Sequence, residues 1–244
     1  MKTAPAPAMT PEQLRNAYTQ AFDREAREQY PVVDDLEGRL GYAVDPDKLL
    51  EAARILACPV KANPPNWQHG RVLYAVSRAY LEGYRGRAMV LDIGTAKGFS
   101  ALCLLWALQD AGVAGNVVSV DVIDPRSGER RNTVAEVDGY KTLREILAPW
   151  PESDAITFRQ STGVDYLKSW TGRIEIAFVD GKHTGETVWK EALLLADRQR
   201  PGDVVVFDDI HLPDVRAAVA GLSMYAMEFL RVLPNRGYAI ARRK

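Results

Sequence analysis

Three carboxylates and two histidines fall at the ends of two apolar runs in this chain of 244 residues. Ile174 to Val179 runs into Asp180-Gly181-Lys182-His183, and Val204 to Phe207 runs into Asp208-Asp209-Ile210-His211. Carboxylates gathered at one place repel one another unless a counter-charge joins them. A hard divalent cation, Mg²⁺ or Mn²⁺, supplies that charge through oxygen ligands and keeps open positions for substrate oxygens. Asp180, Asp208 and Asp209 are the candidate ligands. Strand-end aspartates also cap helices or face solvent, and Asp208 fits that plainer role best. His211 is placed to orient the acidic pair or to touch substrate. A surface residue at a helix start explains it equally well. His69, in a Pro-rich loop, reads as structural.

A second constellation lies upstream, in Met89-Val90-Leu91-Asp92-Ile93-Gly94-Thr95-Ala96-Lys97-Gly98-Phe99-Ser100. An apolar run ends in a glycine turn, and a helix follows with Phe99, Leu102, Cys103 and Trp106 on one face. Gly94 and Gly98 allow a sharp turn and a close backbone approach that a Cβ would block. The helix start beyond them offers unpaired N–H groups to an anion. The spacing G-x-x-x-G is not that of the dinucleotide fingerprint G-x-G-x-x-G. Asp92 would repel a pyrophosphate and attract a cationic group such as an amine. Asp121 ends the next apolar run, 23 residues beyond Gly98, where folds of this kind hold ribose hydroxyls with a carboxylate.

These residues need a scaffold that brings several strand ends to one rim. Apolar runs at 89–93, 117–123, 156–158, 174–179 and 204–207 alternate with helical patterns near 98–111, 137–148, 163–170, 185–199 and 213–225. Strands apolar throughout and separated by helices form a parallel sheet covered on both faces. Glu228 to Leu233 and Tyr238 to Ala241, joined by Pro234-Asn235-Arg236-Gly237, read as a closing antiparallel pair. The expected fold is a doubly wound α/β domain over 87–244, with ligands at the C-terminal ends of its strands. Before it, a helical extension is expected over 10–86. Its first helix opens at Thr10-Pro11-Glu12-Gln13, its second runs from Asp45-Pro46 to Leu56 and stops before Pro59, and its third carries Val72, Leu73, Val76, Tyr80 and Tyr84. Lys61 to Gly70 reads as a loop and residues 1–9 as a disordered Ala/Pro tail.

Composition narrows the function classes. A formal net charge of −1 gives no field to steer nucleic acid or an anionic membrane, so neither partner is expected. Only Cys58 and Cys103 occur, without metal-type or redox-type spacing, and Cys103 reads as a small buried hydrophobe. No apolar run approaches the roughly 18 residues of a membrane span, and the start MKTAPAPAMT lacks the apolar core of a secretory signal. A cytoplasmic protein is the expectation.

LDIGTAKGFS followed by VVSVD resembles motif I and the second-strand acid of class I S-adenosylmethionine-dependent methyltransferases. DGKH and DDIH resemble the fourth- and fifth-strand ends of the metal-dependent small-molecule O-methyltransferases, catechol-type and macrocin-type sugar enzymes among them. The resemblance covers residues 70–244 and implies a Rossmann-like seven-stranded sheet with a final antiparallel strand. It implies that Gly94, Thr95, Gly98 and Phe99 line the methionine part of the cofactor, that Asp92 orients its amino group, and that Ser100 bonds its carboxylate. Asp121 would take the ribose hydroxyls, Ser161 the adenine, and Asp180 would border the cofactor as well as the metal. A Lys or His three residues after the first acid serves as base in those relatives, and here that residue is His183, with Lys182 the alternative.

The reaction so implied is methyl transfer to a hydroxyl of a sugar or phenolic acceptor, with S-adenosylmethionine and Mg²⁺ or Mn²⁺ as cofactors. Asn66 to Gly70 and Tyr42 would shape the acceptor site, and a homodimer is expected because many relatives are dimers. Two departures from the family pattern stand out: Ala96 replaces a third glycine, and Gln160-Ser161-Thr162 lacks the usual acid. A metal-independent methyltransferase with an N or carboxyl acceptor is the nearest alternative. An NAD(P)-dependent oxidoreductase and a non-catalytic partner protein are the more distant ones.

Overall fold

The computed structural model describes residues 10–57, 65–128 and 141–244. The expectations for the 1–9 tail, for Cys58, Pro59 and the loop from Lys61 to Pro64, and for the helix start at 137 lie outside those residues.

Five parallel strands form the centre of a seven-stranded sheet: β1 (Arg87–Ile93), β2 (Ala114–Asp121), β3 (Ile156–Gln160), β4 (Ile176–Val179) and β5 (Val204–Phe207). A hairpin of β6 (Tyr225–Leu233) and β7 (Arg236–Arg243) closes one edge, β7 running antiparallel to β5, in the order β3-β2-β1-β4-β5-β7-β6. The order reverses between β1 and β4, so a crevice opens at their C-terminal ends, the position where such sheets hold ligands. Alternation within each strand divides the apolar residues between two cores. Val90, Phe178 and Val206 face one core, while Leu91, Ile93, Val179 and Phe207 face the other.

Before the sheet come four helices: α1 (Pro11–Glu25), α2 (Pro31–Leu40), α3 (Pro46–Leu56) and α4 (Gln68–Leu81). Thr10 and Gln13 form a capping box at the start of α1, and Asp45 caps α3 by accepting from the Lys48 N–H at 2.9 Å. The sequence reading contains no α2. That helix carries only two buried positions, Val33 and Leu36, has no side-chain cap, and ends on left-handed Gly41, so its periodic signal is thin. Helix α4 begins at Gln68, so the expected loop through Gly70 is overturned at its end. Gly70 faces the next helix, α5 (Phe99–Asp110), where a Cβ would lie 2.9 Å from the Cys103 sulfur and the Phe99 ring.

Helix α5 is buried along its length from Phe99 to Leu108, as a helix apolar on every face must be. The sheet covers one side of it. The N-terminal helices cover the other, and Phe22, Leu36, Leu49, Leu73 and Trp106 share one core with Val90 and Tyr238. The remaining helices are α6 (Leu143–Leu147), α7 (Gly163–Ser169), α8 (Gly185–Ala196) and α9 (Pro213–Ala220), with a 3₁₀ turn at Pro151–Ala155.

At the N-terminal ends of the strands every acid shown has a partner. Asp203 accepts from Tyr80 Oη at 2.7 Å and from Arg173 Nε at 2.9 Å, and Glu175 accepts from Tyr84 Oη at 2.9 Å and the Met89 N–H at 2.7 Å. Tyr80 and Tyr84 are therefore structural. The opposite rim is built differently.

Candidate active site

The glycine turn leaves β1 with Gly94 at φ 106° and enters α5 through Gly98 at φ 87°, both in the left-handed region. A Cβ on Gly94 would lie 2.2 Å from the Asp180 carbonyl oxygen, so the turn and the end of β4 are in direct backbone contact. The Asp180 N–H donates to the Ile93 carbonyl at 2.8 Å, which fixes the same register. Gly98 stands at the N-cap of α5 without a side-chain cap. The first-turn N–H groups of α5 therefore remain for an anion.

Asp121 holds the turn in place. One carboxylate oxygen accepts from the Ala96 N–H at 3.0 Å and the other from the Ile123 N–H at 3.0 Å. Ala96 itself sits at φ 45°, a strained conformation for a residue with a Cβ. The Ser161 N–H donates to the Asp121 carbonyl at 2.8 Å, so the turn after β3 lies beside the Asp121 backbone.

Asp92 is fully buried and accepts from Ser119 Oγ at 2.5 Å, while Ser119 shares a 2.6 Å bond with Thr95 Oγ1. Burial raises its pKa to about 7, against the hydrogen bonds of Ser119 and Ser100. Asp92, Thr95 and Ser100 thus brace the turn from beneath. Lys97 is also buried and donates to the Ile55 carbonyl at 2.9 Å. It meets one of the last carbonyls of α3, where a cation is favourable.

At the ends of β4 and β5, Asp180, His183 and Asp209 each present a ligand atom within 4.8 Å of the others. His183 Nδ1 lies 2.6 Å from Asp209 Oδ2 and 3.7 Å from Asp180 Oδ1, and His211 Nδ1 lies 3.6 Å from the other Asp209 oxygen. Burial pushes the Asp209 carboxyl up, but the His183 bond and the charges of His183, His211 and Arg236 outweigh it and hold the group below its ordinary value. Asp209 adopts φ 56°, and that turn out of the strand aims its carboxylate at the histidines.

The cluster differs from the expected metal trio in one member. Asp208 continues the strand alternation toward the face of Tyr238, is buried, and accepts from the Asp209 N–H at 2.6 Å. Burial and the Asp209 charge raise its pKa. His183 occupies the place expected of Asp208. Lys182 is exposed and stands outside the cluster, its charge reaching Glu186.

The start of α4 overhangs this rim. His69 stacks on Phe178 at 5.8 Å and meets Phe99 edge-on at 5.0 Å. Burial and the Arg236 charge lower its pKa to about 3, against the pull of Asp209, so it is neutral at pH 7. Asn66 accepts from Tyr238 Oη at 2.9 Å. Tyr42 is elsewhere, beneath the Arg78 guanidinium at 4.7 Å, and is removed from the acceptor-site expectation.

Arg236 is the rim residue that sequence reasoning did not single out. It opens β7 just past the hairpin turn, and only the pairing of β7 with β5 carries it to Asp209. Position along the chain gives no sign of it.

Residues 91–210 match the family described as "Methyltransferase domain". Among proteins of curated function, none matches the sequence. Solved structures share its fold across most of the chain. An O-methyltransferase from Bacillus cereus in complex with S-adenosylhomocysteine aligns over 93% of this chain and 97% of its own at 15% identity, TM-score 0.54. The O-methyltransferase TomG of Streptomyces achromogenes, involved in tomaymycin synthesis and bound to S-adenosylmethionine, aligns over 83% and 92% at 17% identity, TM-score 0.57. Cofactor-bound Rv0187 from MTB aligns over 89% and 98% at 20% identity, TM-score 0.57. The segment from the glycine turn to the β5 rim thus matches a methyltransferase domain, and the chain shares the fold of these solved structures.

Proposed function

We propose that the protein transfers the methyl group of S-adenosylmethionine to a hydroxyl of a small molecule, with His183 as general base and a divalent cation at Asp180 and Asp209. One observation carries the reading. His183 is bonded to Asp209 at 2.6 Å on the same rim where Gly94 presses on the Asp180 carbonyl. Proton acceptor and methyl-donor turn are thereby joined through one residue.

The residues fit the donor. The turn has the left-handed glycines that allow backbone approach, the uncapped start of α5 suits a carboxylate, and Asp121 stands at the second strand end. The structures from B. cereus and S. achromogenes, solved with S-adenosylhomocysteine and S-adenosylmethionine, support the same assignment. The donor set also fits the cation. Mg²⁺ is commonly held by one or two carboxylates, with waters and substrate completing its octahedron. When bound, such an ion lowers the pKa of an acceptor hydroxyl.

The chain's own residues do the rest. Asp209 engages Nδ1 of His183, which leaves Nε2 to take the acceptor proton. The acceptor oxygen forms its bond to the methyl carbon as the carbon–sulfur bond breaks, and S-adenosylhomocysteine departs. Asp180, the cluster's other carboxylate, borders both the Gly94 turn and His183, so it is placed to orient the acceptor.

A calorimetric titration with S-adenosylhomocysteine tests the foundation. Saturable binding is the expected result, and absence of binding to folded protein would remove the assignment. Methyl transfer to a panel of phenols and sugars, with and without EDTA, tests the rest. Loss with EDTA and recovery with Mg²⁺ support the cation. Full activity after exhaustive chelation leaves His183 and Asp209 as a metal-independent base pair.

A further inference from the structure

Beside the proposed catalytic cluster lies a cavity of about 230 Å³ whose lining includes Ile210, His211, Arg216, Arg231, Arg236 and Gly237. Three guanidinium groups and an imidazole around one small space form a concentrated positive site in a chain of net charge −1. The ion pairs of the described residues include none of the three arginines. We infer that this cavity seats an anionic group, a carboxylate or a phosphate, on the methyl acceptor. The inference rests on the methyltransferase reading and adds the acceptor's charge to it.

The hairpin is built to bring these arginines together. Gly237 lets β7 press on the loop after β5, because a Cβ there would lie 2.7 Å from the Leu230 carbonyl oxygen and 3.1 Å from the Ile210 side chain. The Ile210 N–H donates to the Gly237 carbonyl at 3.3 Å, tying the turn to the residue after Asp209. An irregular register between Arg231 and Leu233 breaks the β6 ladder there, and such bulges re-aim side chains. Arg216 is steadied over the Phe229 ring at 5.5 Å, on α9 across from β6. Arginine forks match the oxygens of carboxylates and phosphates two at a time.

The cavity connects with the chemistry through two residues. His211 lines it and lies 3.6 Å from Asp209. Arg236 lines it too, and its charge acts on Asp208 and Asp209. A pocket enclosing a whole drug-sized ligand measures roughly 300 to 1,000 Å³, so this one suits the end of a molecule. An acceptor anchored here by its anionic end would extend past His211 and present its hydroxyl to His183.

Line broadening of ³¹P in inorganic phosphate and of ¹³C in acetate, at low ionic strength, tests the site and separates the two anion types. The comparison is the wild type against Arg231→Gln/Arg236→Gln, with Arg216→Gln as an independent variant, and S-adenosylhomocysteine is titrated into each. The expected result is binding of at least one anion, weakened about tenfold or more in the double variant and less in the single one, with cofactor-product affinity unchanged. No anion binding to the wild type, or equal binding to the double variant, overturns the inference. Failure of S-adenosylhomocysteine to bind while the variants still weaken phosphate overturns the methyl-transfer reading and leaves an anion site.

Discussion

His183 is more than a third exposed yet held by two carboxylates, and on the proposed reading its pairing with Asp209 through Nδ1 leaves Nε2 for the acceptor. His183→Ala should lower kcat by about 10²- to 10⁴-fold, the range of a positioned general base, while a calorimetric titration with S-adenosylhomocysteine returns the wild-type Kd. A parallel loss of cofactor-product affinity would place His183 in the binding site instead. Gly94 is the other residue whose role can be stated alone. Gly94→Ala adds a Cβ 2.2 Å from the Asp180 carbonyl in a left-handed conformation. It should cost at least about 2 kcal/mol of stability, visible as a lowered Tm, and should abolish S-adenosylhomocysteine binding. An unchanged Tm would mean that the two backbones separate at little cost.

At the scale of elements, helix α8 carries a buried acid, Glu191, at 2% exposure with one oxygen unpaired. Burial raises its pKa to about 7 from an ordinary carboxylate value, against the charge of His183. The folded protein therefore binds the proton more tightly than the unfolded chain. The sign follows: the penalty is absent below the unfolded pKa of about 4.3, grows as pH rises, and is complete above about 7. Glu191→Gln should raise Tm at pH 8 and leave it nearly unchanged at pH 4. A gain of equal size at both pH values would assign the effect to packing. His69 has the opposite sign, because its lowered pKa makes the native state refuse a proton that the unfolded chain accepts below about 6.5. His69→Phe should lose less Tm than the wild type between pH 6.5 and 4.5, a comparison that differential scanning calorimetry makes directly.

Elements also show what the sequence could and could not reveal. Strands β4 and β5 were legible because both faces are buried and their residues are apolar without interruption, and β1 because Asp92 alone breaks the apolar character of its buried run from Ala88 to Ile93. The glycine turn was legible because backbone approach demands glycine at fixed positions. Helix α2 was not, since two buried residues make no periodic pattern. At the rim, Asp180 and His183 were legible as neighbours along the chain and Asp209 as a strand end. That Asp208 turns away follows from strand alternation and could have been read. Arg236 could not, because its proximity to Asp209 arises from the pairing of β7 with β5 and from Gly237, both distant in sequence from the acids.

On the scale of the whole molecule, the four N-terminal helices complete the core around α5 instead of standing apart from the sheet. Lys97, inside the glycine turn, reaches Ile55 at the end of α3, so the same helices touch that turn. Lys97→Met should lower stability by roughly 1 to 3 kcal/mol, as for a buried carbonyl that loses a charged partner, and should weaken S-adenosylhomocysteine binding. Thermal melts and titrations check both, and weakened stability with full affinity would separate the helices from the turn. The contact between Gly94 and Asp180 has a wider consequence. On the proposed reading, the donor turn and the acid beside the proton acceptor are in direct backbone contact, so neither can shift to suit a new substrate without disturbing the other. A change of acceptor would then fall on the surrounding parts, the overhang at Asn66 to His69 and the basic hairpin. The enzyme divides into a half that is locked and a half that can learn.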